Sequence, residues 1–132
     1  MKVDKLGRTP LHYVAIDHPK ENHAAEIQKL VAEGCDPNLQ DKNGWTALHV
    51  AAQESSLEAV KTLLASGAAV DVTDANGNTP LSTAVFNSKG EGSVILALLE
   101  AGADADKKNH HDVSPRSLAE MIANYDVKTF FQ

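Results

Sequence analysis

Cysteine is almost missing from this chain: Cys35 stands alone, which excludes an internal disulfide and a thiolate metal cluster and leaves the expected role of a small buried side chain in a reducing compartment. No stretch is apolar over the length that spans a bilayer, and the start, Met1 to Ile16, has no apolar core ahead of a cleavage site, so a cytoplasmic location is expected. Basic residues are few: 12 Lys and Arg face 18 Asp and Glu, for a net charge of −6. They are also scattered, so the concentrated basic stripe that phosphate contacts need is absent and a nucleic-acid binder is not expected. An acidic balance of this kind favours solubility and steers basic partners. Also lacking are a Gly-x-Ser-x-Gly elbow, a phosphate-binding glycine loop and any context that would activate the cysteine, so neither an enzyme nor a cofactor is expected. Low hydrophobicity is lacking as well: 42% apolar and 23% charged residues are ordinary for a folded chain of one domain.

What the chain has is one phrase written four times. The copies are Thr9-Pro10-Leu11-His12-Tyr13-Val14-Ala15, Thr46-Ala47-Leu48-His49-Val50-Ala51-Ala52, Thr79-Pro80-Leu81-Ser82-Thr83-Ala84-Val85 and the worn Ser114-Pro115-Arg116-Ser117-Leu118-Ala119-Glu120, starting 37, 33 and 35 residues apart. A period in this range marks a stack in which no unit can bury its apolar face alone.

The second copy shows the physics most cleanly. Thr46 is a good helix N-cap, and His49, three residues on, takes the place of Glu or Gln in a capping box. A short helix over about Ala47 to Gln53 follows. Ser55 or Ser56 can then cap a second helix, in which Leu57, Val60, Leu63 and Leu64 recur at helical spacing until Gly67 supplies a left-handed residue. Asp74-Ala75-Asn76-Gly77 reads as a projecting turn before the next copy. Related turns stand at Asp41-Lys42-Asn43-Gly44 and Asn109-His110-His111-Asp112, so the repeated unit is helix, helix and finger.

Thr-Pro-Leu-His-x-Ala-Ala, the later Val-x-x-Leu-Leu-x-x-Gly-Ala and the Asp-x-x-Gly before the next Thr together resemble the ankyrin repeat over nearly the whole chain. The resemblance implies an all-α solenoid of about four helix-turn-helix units joined by β-turn or hairpin fingers. The units fall at about 4–40, 41–73, 74–108 and 109–132, the last acting as a C-terminal cap. It also implies a concave face made by the first helices and the fingers, used to bind protein.

Four extra residues in the first unit and two in the third fall between its two helices, at Asp17 to His23 and around Ser88 to Gly92. Such loops are either tolerated surface variation or partner contacts. In the last unit Arg116 replaces the motif leucine, and the stretch Asn124 to Phe131 places Val127, Phe130 and Phe131 at second-helix spacing, where they are expected to close the core. Leu96, aligned with Lys61, is expected to be exposed on the back. Of the six histidines, His12 and His49 fill the capping position, and His18 and His23 carry no spacing signal. His110 and His111, with Asp112, sit together on a finger where consecutive residues seldom converge on one ion, so no metal is expected. A metal-dependent factor built on that finger remains an alternative.

If the family geometry holds, Ile16, Gln53, Phe86 and Met121 line the concave face, with Asp17, Glu54, Asn87 and Ile122 beside them. The three apolar members either pack under the fingers or stand open in the groove. Arg8, Lys42, Asn43, Trp45, Asn76, Asn78, His110 and Val113 come from the fingers, and Trp45, the single tryptophan, either contacts the partner or folds back on the next finger. The expected function is therefore non-catalytic binding of a protein partner by a monomer. Beginning at Met1, the chain reads as a minimal stand-alone member, similar to small bacterial proteins that neutralise secreted toxins. A basic toxin or nuclease is thus the sharper expectation for the partner, and an adaptor role in a signalling or stress pathway is the rival.

Overall fold

A computed structural model describes residues 3–122 and 127–131. Asn124, Tyr125 and Asp126 of the closing stretch lie outside the described residues. The helices run α1 (Pro10–Asp17), α2 (His23–Ala32), α3 (Ala47–Gln53), α4 (Leu57–Ala65), α5 (Pro80–Asn87), α6 (Ser93–Glu100) and α7 (Pro115–Met121), with 3-10 turns at Lys20–Asn22 and Lys128–Phe131. Among the described residues there is no strand, and the fingers are turns.

The helices start and stop where local chemistry requires. Thr46 Oγ1 accepts from the His49 N–H while the Thr46 N–H donates to His49 Nδ1, closing a capping box, and Thr9 with His12 forms the same arrangement. Ser56 caps α4 by accepting from the Ala59 N–H at 3.2 Å. Gly67 ends that helix with φ +97°, a backbone that side chains with a Cβ adopt only with strain.

Side chains at helical spacing then build two layers. Helices α1, α3, α5 and α7 pack in sequence in one layer, and α2, α4 and α6 pack in the other. Between them lie Leu11, Val14, Leu48, Ala51, Leu81 and Ala84 from the first layer and Ile27, Val60, Leu63, Ile95 and Leu98 from the second, all buried. Burying a Leu, Ile or Val in this way contributes about 1.5–3 kcal/mol, which makes the shared core a main contribution to holding the units together. Cys35 joins the core, and its burial pushes the thiol pKa up.

The last unit departs from its second-helix spacing. Val127 and Phe131 are buried, but a 3-10 turn carries the aromatic pair. Phe130 lies over Gly92, where an added Cβ would sit 2.4 Å from the ring. Arg116, in the place of the motif leucine, donates from Nη1 to the Phe131 carbonyl at 2.8 Å and from Nε to Asp106 at 2.8 Å. Leu96 is 44% exposed on the second layer.

Candidate functional site

The fingers are organised by one side chain each. Asp41 Oδ1 accepts from the Asn43 and Trp45 N–H groups, Asp74 Oδ1 from those of Asn76 and Asn78, and Asn109 Oδ1 from those of His111 and Val113. Asp4 does the same for Leu6 and Arg8. An Asp or Asn that satisfies the amides two and four residues on fixes a tight turn without a strand. The turns are then stacked by backbone bonds from Lys42 N–H to the Leu6 carbonyl, Ala75 N–H to Asn43 and His110 N–H to Asn76, at 2.8 to 2.9 Å.

Two histidines tie the helices to this row. His12 Nε2 meets the Trp45 carbonyl at 2.8 Å and His49 Nε2 meets the Asn78 carbonyl at 3.0 Å. A carbonyl only accepts, so Nε2 carries the proton; the Thr N–H at Nδ1 only donates, so Nδ1 is bare. Burial holds both imidazoles below the ordinary histidine pKa, outweighing the opposing pull of the carbonyl bonds. Each ring is therefore a neutral connector between one unit and the next.

Between the fingers and the ends of the first-layer helices lie two adjoining depressions. The larger, about 480 Å³, includes Trp45, Gln53, Asn76, Asn78, Phe86, Asn87 and Val113 among its walls. The smaller, about 450 Å³, shares Trp45, Gln53 and Asn76 and adds Arg8, Asn43 and Ala75. Nine residues singled out from the sequence thus meet along one groove. Phe86 is 73% exposed, so it stands open in the groove and does not pack under the fingers. Trp45 is half-buried, its ring 5.6 Å from that of His49 and tilted by 32°.

The other sequence-selected residues lie outside the two depressions. Ile16 and Met121 are 45% and 59% exposed at the flanks, and Asp17, Lys42 and Glu54 are exposed as well. His110 is used by the stack: its backbone pairs with Asn76 and its ring packs by Gly77. His111, by contrast, lines the groove. Among the described residues no group of three or more His, Cys, Asp or Glu side chains is placed to hold a metal ion.

Ser82, Thr83 and the finger-organising Asp74 and Asn109 also line the groove and were missed from the sequence. The signal for Ser82 and Thr83 was available, since they replace His49 and Val50 in the column alignment. A further missed contact is His23, buried in the first insert, whose ring joins Ser56 Oγ at 2.6 Å and the His18 carbonyl at 2.8 Å.

Comparison with known proteins adds family evidence. A family model described as ankyrin repeats (3 copies) matches residues 20–109. The tyrosine-protein kinase HTK16 of Hydra vulgaris is 39% identical over 61 residues, which is 45% of this chain and 8% of the kinase. The chain therefore spans a small fraction of that relative.

Proposed function

The chain belongs to the ankyrin repeat family, whose repeats generally mediate protein–protein interaction, and from that premise we propose that it binds a protein partner in the groove around Trp45 and Phe86. One observation carries the reading: Phe86, an aromatic ring in a folded chain, is left 73% exposed in a concavity beside the single tryptophan. Aromatic side chains at the centre of a concave surface dominate interface energies because they bury a large area with few rotors to freeze. The surrounding amides of Gln53, Asn76, Asn78 and Asn87 offer hydrogen bonds that fix a backbone in register. Because the histidine and finger bonds already hold the walls, little ordering opposes association.

The acidic flank made by Asp17 and Glu54, with the net charge of −6, favours a basic partner. Met121, Ile16, Lys42 and His110 extend the contact at the rim. We read the chain as a non-catalytic monomer acting in the cytoplasm, where a reduced cysteine is at home. Kinase activity is not carried over from the Hydra protein, of which the matched part is 8%. A basic toxin as the partner makes a further demand, that its gene adjoin this one and that co-expression neutralise it.

Phe86→Ala combined with Trp45→Ala tests the site. The double variant, still helical by circular dichroism, is expected to lose at least about 2 kcal/mol of binding, roughly 30-fold. Undiminished affinity of the folded variant sinks the assignment.

A further inference from the structure

The junctions between fingers use one pair of positions with different chemistry. The pair is the residue before one unit's cap and the finger-organising Asp or Asn of the next unit. At the first junction Arg8 donates from Nε to Asp41 Oδ2 at 3.0 Å, and its guanidinium lies 5.6 Å from the centre of the Tyr13 ring. At the third, Asn109 Nδ2 donates to Asn78 Oδ1 at 2.8 Å. The second pairs Trp45 with Asp74, and an indole brings no charge. Asp74 is 8% exposed, its Oδ1 is occupied by two backbone N–H groups, and among the described residues no donor of the chain reaches its Oδ2. It lines the larger depression together with Trp45 and Phe86, and no Lys or Arg does.

The geometry points to an arginine side chain of the protein partner as the occupant of this junction, its guanidinium donating to Asp74 Oδ2 with its flat face against Trp45. It would bring from outside the chain, alongside Trp45, the cation that Arg8 supplies to Asp41 one unit earlier. This inference rests on the groove being the binding site and names the chemistry that fills it. Arginine fits better than lysine because a planar guanidinium can stack on an indole while presenting N–H groups edge-on to a carboxylate. The bond is charge-assisted, and it forms at a carboxylate that is itself only 8% exposed, which strengthens it. The open junction thus offers a recognition point that the other two junctions close with the chain's own side chains.

Asp74→Asn is a conservative probe, because Asn109 holds the equivalent place in the fourth finger and accepts from the His111 and Val113 N–H groups at 2.8 and 3.0 Å. Isotope-labelled protein is titrated with the capped tripeptides acetyl-Leu-Arg-Leu-amide and acetyl-Leu-citrulline-Leu-amide, the second keeping the shape without the charge. The Trp45 indole N–H, the Phe86 and Gln53 amides and the Asp74 carboxyl carbon are followed by NMR. Wild type is expected to bind the arginine peptide about tenfold more tightly than the citrulline peptide, with the Asp74 carbon shifting, and Asp74→Asn is expected to bring the ratio close to one. Equal binding in wild type, or an arginine preference that survives Asp74→Asn, overturns the anchor. If both peptides bind equally and still shift Phe86, the anchor is wrong while the groove reading stands; if neither shifts Phe86 or Trp45, both fall.

Discussion

His12 and His49 each commit a bare Nδ1 to a Thr N–H and a protonated Nε2 to the carbonyl of the next unit, so a second proton, on Nδ1, would face the N–H that now donates to it. With the folded-state pKa of both held low, chiefly by burial, the unfolded chain takes up protons that the fold refuses as pH drops through the ordinary histidine value of about 6.5. The melting temperature should therefore fall between about pH 7 and pH 5, before the carboxylates titrate. His49→Gln keeps an acceptor for the capping box but removes the ring donor to the half-buried Asn78 carbonyl, which is left with the Asp74 N–H alone. It should lose about 0.5–1.5 kcal/mol at pH 7.5 and show a shallower decline toward pH 5, read by thermal melts across that range. An unchanged slope would remove His49 from the pH response. At this scale the capping boxes were legible because Thr and His stand three residues apart in the sequence. The Arg8–Asp41 pair and the His23–Ser56 bond were not, because both join residues 33 apart and depend on how units stack.

The elements follow their punctuation closely: α3 spans Ala47–Gln53 between a Thr cap and the next turn, and Ser56 opens α4. Two glycines separate the conformational need from the packing need. Gly67 and Gly44 both have positive φ, +97° and +79°, but a Cβ on Gly67 meets nothing within 4 Å, while one on Gly44 would lie 2.8 Å from backbone atoms of the next finger. Gly67→Ala should then lose only the roughly 1–2 kcal/mol of left-handed strain, and Gly44→Ala should lose more because the fingers must separate. Equal losses in denaturant titrations would contradict the close approach.

The closing element was only partly readable. The spacing of Val127, Phe130 and Phe131 picked out two buried residues and the half-buried Phe130, yet a short segment held by Arg116 settles into a 3-10 turn, which apolar periodicity does not distinguish from α-helix. Arg116→Ala should raise amide exchange through residues 127–131 and α7 while leaving α3 and α4 protected, because units in a stack communicate through neighbours.

Across the whole molecule, the shared letters of the repeat are spent on caps, core and finger turns, and the letters that differ between copies shape the groove. Nine of the fifteen residues selected for partner contact meet there; Ile16, Asp17, Lys42, Glu54, His110 and Met121 do not line it. That division has a physical cause. Residues at one helical position share a face, so the column Ile16, Gln53, Phe86 and Met121 was readable, but which of its members meet a concavity depends on how deep each finger sits over them. Binding of a protein partner in this groove is tested by affinity capture from the native cell with the wild type beside Trp45→Ala/Phe86→Ala, quantified by mass spectrometry. A specific protein recovered on the wild type should fall at least about tenfold on the folded double variant. Equal recovery on both would place the partner's contact elsewhere on the molecule.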